Sequence, residues 1–298
     1  MTDKILVVSL KGGVGKTKVT AELAKALTRR GLKVGVLDCD YHAPNIPTEF
    51  NCEGVKPTRE SGNRILPPLV NGIRILSWGM IFPPDSAVMI EDSQVEKDDL
   101  LKVRELWVKG ETARGLKYLD HLIAHPGGAM EHMKLLLEDG AVSWGDIDYL
   151  VVDTPPESTG VIRVALEAQH VKGAIIVCHP SRVSLADTRR TVDLFRKRSL
   201  PILGLLSNQG SQNGQNRYDL TDQDMEAFAG EKGIPYIAAI PHTTDLSPHF
   251  DRVARFVVEA QAVILPPPPK EEGWKETEKD LRLMSRLLNS LKPEASKG

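Results

Sequence analysis

Residues 5–20 read ILVVSLKGGVGKTKVT, and this stretch decides the fold. Residues 5–9 predict a buried strand, residues 11–15 predict a glycine-rich turn, and a helix is expected to begin at Lys16. Three glycines in the turn let backbone N–H groups curl around an anion with no Cβ in the way. The helix N-terminus adds unsatisfied donors and a partial positive charge. The stretch therefore predicts a site for the phosphates of a nucleotide.

The candidate phosphate ligands lie in the turn and at the start of the helix. Lys16 can reach the β- and γ-phosphates, and the Thr17 hydroxyl can bind Mg²⁺. The backbone groups predicted to surround the phosphates belong to Gly12, Gly13, Val14 and Gly15.

The turn also carries a second lysine. Leu10 stands where the usual P-loop has its first glycine, and Lys11 follows it. KGGVGKT resembles the deviant Walker A motif of the MinD/ParA/Mrp/nitrogenase-iron-protein class of ATPases. The resemblance implies that Lys11 reaches across a homodimer interface and stabilises charge developing on the partner's transferring phosphoryl group. Lys18 stands where the class usually has Ser or Thr against the α-phosphate, so a phosphate contact and an orientation away from it are both open.

Acidic residues are expected beside this loop. Residues 34–37 predict a second buried strand that ends in Asp38-Cys39-Asp40, and the carboxyl ends of parallel strands meet at the phosphate edge of an α/β sheet. DCDYHAPNIP resembles the Mrp/ApbC branch of the class. The resemblance implies that Asp40 orients or deprotonates the attacking water and that Asp38 supports the Mg²⁺ shell.

A third acid follows another predicted strand, residues 149–152. Asp153 stands at the Walker B position, where the resemblance implies that it binds a magnesium-bound water. DTPPESTG is similar to the Mrp switch segment, although Glu157 and Ser158 replace its Gly-Thr and the final Asp is absent.

The adenine side of the site is predicted from PILGLLSNQ, which resembles the family's PILGxxxNM. By that resemblance Asn208 hydrogen-bonds adenine, and the backbone near Pro241 lines the adenine pocket. Mrp-type iron–sulfur carriers have a C-P-x-C pair just after this Asn, whereas the chain reads GSQNGQNRYDLT here.

The three cysteines lie elsewhere. Cys39 and Cys178 fall in or at predicted buried strands, and Cys52 is the only cysteine in a predicted loop. A [4Fe–4S] cluster ordinarily needs four thiolates, so we expect that the isolated protein does not itself carry one.

Composition restricts the partners and the compartment. The formal net charge of -2 gives no electrostatic case for binding nucleic acid or an anionic membrane. Three cysteines without a C-x-x-C pair suit a reducing cytoplasm, and no apolar run approaches the length of a spanning helix. We therefore expect a cytoplasmic protein.

Two regions are expected outside the common fold. Residues 1–265 form the predicted ATPase domain, with an additional helical segment at about 91–125, and residues 266–298 form a proline-rich spacer and a C-terminal amphipathic helix. Mixed charge on the polar face of that helix favours packing on the body or on a dimer mate over a membrane or an external partner.

Three further local patterns predict one loop and the starts of two helices. Residues 51–72 are rich in Gly, Pro and Asn and predict a loop, Ser184 with Asp187 predicts a helix cap, and Thr221 with Asp224 predicts another.

The fold predicted is α/β, a doubly wound and mainly parallel sheet flanked by helices, with nucleotide at its carboxyl edge. The resemblance implies an ATP- and Mg²⁺-dependent homodimeric switch ATPase with a protein partner. Its expected role is iron–sulfur or metallocentre assembly of the Mrp/ApbC type. The alternative is a MinD/ParA-like positioning or partitioning ATPase that acts on membrane, DNA or a scaffold.

Overall fold

The computed structural model describes residues 2–40, 43–60, 64–81, 136–137, 141–155, 168–210 and 218–267. The predicted insertion at 91–125, the departures at Glu157 and Ser158, and the predicted C-terminal helix lie outside the described residues.

Eleven strands occur in the described part of the chain. In order they are β1 (Asp3–Val8), β2 (Val34–Asp38), β3 (Thr58–Arg59), β4 (Ile65–Leu66), β5 (Leu69–Val70), β6 (Ile73–Ser77), β7 (Tyr149–Asp153), β8 (Val171–Cys178), β9 (Pro201–Asn208), β10 (Tyr236–Ile240) and β11 (Val263–Ile264). The helices described are α1 (Lys16–Arg29), α2 (Ile46–Glu49), α3 (Trp78–Ile81), α4 (Arg182–Arg198), α5 (Asp222–Lys232) and α6 (Ser247–Glu259).

The main sheet has the order β10-β9-β8-β1-β7-β2-β6-β5, with β11 also paired to β9. β5 and β11 pair antiparallel to their neighbours, and the other strands of this sheet pair in parallel. β1 lies in the middle, between β8 and β7, so the strand order changes direction at β1. Ligands of open α/β sheets bind at such a point, outside the carboxyl ends of the strands.

Both faces of β1 are buried, as its apolar run predicts. Ile5 and Val7 pack in one core cluster with α1 and α6, whereas Leu6 and Val8 pack in a second cluster with α4 and α5. Successive strand residues point to opposite faces, so a continuous apolar run needs helices on both sides of the sheet. The predicted doubly wound α/β fold is confirmed.

Two local predictions were wrong. The predicted loop at 51–72 contains the short strands β3, β4 and β5. Ser184 and Asp187 were expected to cap a helix, but that helix, α4, begins about a turn earlier, at Arg182. Its N-cap is Ser181, whose side chain accepts from the Ser184 N–H at 3.2 Å. The Ser184 hydroxyl instead accepts from the N–H of His179 at 3.0 Å.

The predicted cap at Thr221 is confirmed. Its side chain accepts from the Asp224 N–H, and the Asp224 carboxylate accepts from the Thr221 N–H at 2.7 Å, which makes a reciprocal capping box at the start of α5. Within the described residues, no helix combines the length and the apolar character needed to cross a membrane.

Candidate nucleotide-binding site

The turn between β1 and α1 has the conformation that its glycines predict. Gly13 and Gly15 have φ values of 75° and 87°, in the left-handed region that glycine tolerates best. The Ser9 hydroxyl closes the start of the turn, because it accepts from the Lys11 N–H and donates to the Lys11 carbonyl, both at 3.0 Å. Gly15 is the N-cap of α1 and has no side chain to cap the first helical N–H groups. The helix N-terminus can therefore present donors to an anion.

Lys16 lies within the electrostatic reach of two of the predicted acids. Its side chain is buried, and burial lowers the pKa of Lys16 against the opposing attraction of Asp153 and Asp40. A buried ammonium at the start of α1 that two nearby carboxylates attract is well placed to bind a nucleotide phosphate.

Asp38 and Asp153 lie side by side on neighbouring strands of the sheet. They are register partners at the ends of β2 and β7, and both are buried. Burial raises the pKa of Asp153 despite hydrogen bonding from Thr17, and burial together with the charge of Asp153 raises the pKa of Asp38 well above its ordinary value. Two adjacent buried carboxylates favour a cation, and carboxylate and hydroxyl oxygens are the ligands that Mg²⁺ prefers.

The two acids predicted to support magnesium, Asp153 and Asp38, differ in the hydrogen bonds that they accept. Asp153 accepts from the Thr20 hydroxyl at 3.3 Å and from Thr17. Asp38 is held more fully: one oxygen accepts from the Asp40 N–H at 3.0 Å, and the other accepts from the Ser77 hydroxyl at 2.7 Å. The predicted metal role of Asp38 therefore stays a prediction, and the structure gives its carboxylate a definite role in holding the loop.

No group of three or more His, Cys, Asp or Glu side chains forms a metal-binding cluster within the ranges that the structure describes. A magnesium ion in a nucleotide site needs no such cluster, because it keeps several waters and binds one or two protein groups together with the phosphates.

Asp40 begins the loop after β2. It is half-buried, and one of its carboxylate oxygens accepts from the Ala43 N–H at 3.1 Å. The charge of Asp40 acts on both Lys16 and Asp153, so the structure brings the predicted catalytic acid into the same site as the predicted phosphate lysine.

Asn208 contacts the phosphate-binding turn directly. It ends β9, and its side-chain amide donates to the Val14 carbonyl at 2.8 Å in a buried position. A Cβ at Gly15 would lie 2.5 Å from the same amide nitrogen, so the turn and Asn208 are closely packed. The predicted adenine contact of Asn208 is untested. Pro241 follows β10 at the same edge, since Ile240 is the register partner of Asn208.

Lys18 points toward α2. Its ammonium lies 3.0 Å from a carboxylate oxygen of Glu49 and 3.6 Å from one of Glu22. Lys25 extends the network, because it donates to Glu22 at 3.0 Å and to the Glu49 carbonyl at 3.2 Å. Of the two orientations that the sequence left open, the structure has the one that pairs Lys18 with acidic side chains. The spacing of Lys18 and Glu22 is the sequence signal for part of this network.

All three cysteines are buried. Cys52 lies in irregular chain after α2, in agreement with its predicted loop position, but it is only 4 % exposed and packs in a core cluster with Phe50. Burial raises the pKa of Cys178 to about 12 and raises the pKa of Cys39 well above its ordinary value. Such thiols behave as small apolar groups.

A family model described as ParA, NUBPL iron-transfer P-loop NTPase, matches residues 1–105 and 121–265. The chain belongs to this family. An iron-sulfur cluster carrier protein of Aquifex aeolicus is 32% identical over 261 residues, which cover 85% of this chain and 61% of that protein. An iron-sulfur cluster carrier protein of Rickettsia conorii is 30% identical over 248 residues, which cover 83% of this chain and 64% of that protein. The chain thus spans about three fifths of the length of these relatives of the family.

Solved structures show the same fold. A nucleotide-binding protein of Archaeoglobus fulgidus in complex with ADP has a TM-score of 0.55 at 25% identity, and the match covers 87% of this chain and 89% of that one. The septum site-determining protein MinD of Pyrococcus horikoshii, complexed with Mg-ADP, has a TM-score of 0.54 at 21% identity, with 87% and 97% covered. The similarity to MinD, at this low identity, shows only that the two proteins share a fold. The names of the relatives favour the Mrp/ApbC branch, and they count against the prediction that this chain is not a cluster carrier.

Proposed function

We propose that the chain is a Mg²⁺-dependent ATPase that acts as a nucleotide switch in iron–sulfur cluster assembly or iron transfer. The observation that carries the proposal is the convergence of the phosphate-binding turn, Lys16, Asp40 and Asp153 at one sheet edge. Family membership supports it, as do the carrier relatives and the relative solved with ADP.

Different residues of the chain serve ATP binding and ATP hydrolysis. The N–H groups of residues 12–15 and the ammonium of Lys16 hold the phosphates. Thr17 and Asp153 are the groups that would hold Mg²⁺, and the ion would neutralise charge on the β- and γ-phosphates. Asp40 orients or deprotonates the attacking water. Asn208 and the backbone near Pro241 receive the adenine.

Hydrolysis requires a second copy of the chain. Lys11 is half-buried and directly precedes the exposed Gly12 and Gly13, and in the proposed dimer its ammonium reaches the partner across the phosphate edge. In the homodimer it stabilises charge on the partner's phosphoryl group as an arginine finger does.

The cluster is cargo, and its ligands come from outside the chain's own three thiols. All three are buried, and burial raises the pKa of each, so none is a ready thiolate at the surface. ATP binding and hydrolysis would then change the contact with a protein partner that supplies the metal ligands.

The nucleotide half of the proposal is tested by ATP hydrolysis. Wild-type protein is expected to release phosphate with Mg²⁺ and ATP, and Lys16→Ala is expected to lose the activity. Lys33→Ala is the matched control, because Lys33 pairs with Asp146 at the opposite edge of the sheet, before β2 begins. Absence of hydrolysis in the wild type, or equal loss in both variants, would overturn the proposal.

The cargo half is tested by anaerobic reconstitution with iron and sulfide. We expect no cluster absorbance on the isolated chain. Recovery of about four iron and four sulfide per dimer, lost on Cys52→Ser, would restore the carrier role that the relatives' names describe.

A further inference from the structure

A chain of hydrogen bonds connects β6 to the predicted catalytic acid. Ser77 is the last residue of β6 and is 1% exposed. Its hydroxyl donates to a carboxylate oxygen of Asp38 at 2.7 Å, and the other oxygen of Asp38 accepts from the Asp40 N–H at 3.0 Å. The backbone at Asp40 is thus tied to Ser77 through one buried carboxylate.

The same carboxylate holds both ends of the loop between β2 and α2. The oxygen that accepts from Ser77 also accepts from the Ile46 N–H at 3.3 Å, at the first residue of α2. The Ser77 bond is the shorter of the two, so the hydroxyl is the closer donor that sets the rotation of the Asp38 carboxylate. Without the Ser77 hydroxyl this oxygen keeps only the longer bond from the Ile46 N–H, and a buried acid that has lost its closest donor is favoured to rotate.

Ser77 also fixes the contact between α3 and the middle of this loop. Its hydroxyl accepts from the Gly79 N–H at 3.2 Å. A Cβ at Gly79 would lie 3.2 Å from a side-chain carbon of Pro44, so α3 approaches the loop closely there. The loop that begins at Asp40 is held near its start, its middle and its end by groups that Ser77 contacts or orients.

We propose that Ser77 is a positioning residue for ATP hydrolysis. It holds the Asp38 carboxylate in the rotation that fixes the backbone at Asp40, and so sets where the Asp40 carboxylate stands relative to the γ-phosphate. The role rests on the proposed function, since it acts through Asp40. Small displacements of a reacting group cost much of the rate, whereas the phosphate ligands on α1 are unaffected.

Kinetics separate this role from a purely structural one. Ser77→Ala is expected to lower kcat by about 10- to 100-fold and to leave ATP affinity within about twofold. Ser77→Thr keeps the hydroxyl and is expected to restore most of kcat. Ser143→Ala is the matched control, because the buried Ser143 hydroxyl also donates to a carboxylate, that of Glu60, away from the phosphate edge.

Amide hydrogen exchange tests the bonds themselves in nucleotide-free protein. The amides of Asp40 and Ile46 are expected to exchange faster in Ser77→Ala than in the wild type or in Ser143→Ala. An unchanged kcat, an equal fall in Ser143→Ala, or unchanged exchange at both amides would overturn the inference. A wild type without hydrolysis would instead overturn the proposed function, and the exchange rates would still decide whether Ser77 holds the loop.

Discussion

Replacement of Gly15 by alanine is expected to destabilise the protein more than the same change at Gly13. Both glycines have left-handed φ values, so alanine at either costs about 1–2 kcal/mol of backbone strain. They differ in their surroundings: a Cβ at Gly13 has nothing within 4 Å, whereas a Cβ at Gly15 would lie 2.5 Å from the Asn208 amide nitrogen.

The additional cost follows from the bond that Asn208 must give up. Its amide donates to the Val14 carbonyl at 2.8 Å in a buried place. Displacement of the amide leaves that carbonyl unsatisfied, which costs about 1–3 kcal/mol. The free energy of unfolding is therefore expected to fall by about 2–5 kcal/mol in Gly15→Ala and by about 1–2 kcal/mol in Gly13→Ala.

Urea unfolding of the nucleotide-free protein measures this difference, and a double-mutant cycle assigns it. In an Asn208→Ala background the bond is already absent, so Gly15→Ala is expected to cost only the backbone strain. Equal costs for Gly13→Ala and Gly15→Ala, or an unchanged cost of Gly15→Ala in the Asn208→Ala background, would refute the packing of Asn208 on the turn.

Three further outcomes are expected. Lys18→Ala should lower the free energy of unfolding by no more than about 1 kcal/mol, because the pair with Glu49 is partly exposed, and a loss above about 2 kcal/mol would contradict this. Lys11→Ala should bind ATP but lose most hydrolysis, and a wild-type rate would remove the role across the dimer. At pH 8 a disulfide reagent should modify no cysteine in native protein and all three in denaturant, because all three thiols are buried. Burial raises the pKa of Cys178 to about 12, so only roughly 10⁻⁴ of the Cys178 side chains are thiolate at this pH. A rapidly reacting native thiol would contradict the burial.

Local patterns were sufficient for the elements that build the site. The apolar runs of β1, β2 and β7 predict strands, and a helix starting at Lys16 follows from the glycine-rich turn. The acids at the strand ends then meet because parallel strands share one carboxyl edge.

Contacts distant in sequence were beyond such patterns. Asn208 and Val14 are 194 residues apart, and Ser77 is 39 residues from Asp38, so no spacing predicts these bonds. The burial of Cys52 was not predicted for a related reason: its loop is polar in composition, but packing against the core buries the thiol. Ser184 was misjudged because Ser181, one turn earlier, is an equally good cap.

Calorimetric titration with Mg²⁺ and ATP tests the central claim most directly. The wild type is expected to bind one nucleotide per chain, and Lys16→Ala is expected to weaken binding by at least about tenfold, because in the proposed function the buried ammonium contacts the phosphates directly. Lys33→Ala should bind as the wild type does. Absence of binding to the wild type, or equal affinity in Lys16→Ala, would contradict the nucleotide site.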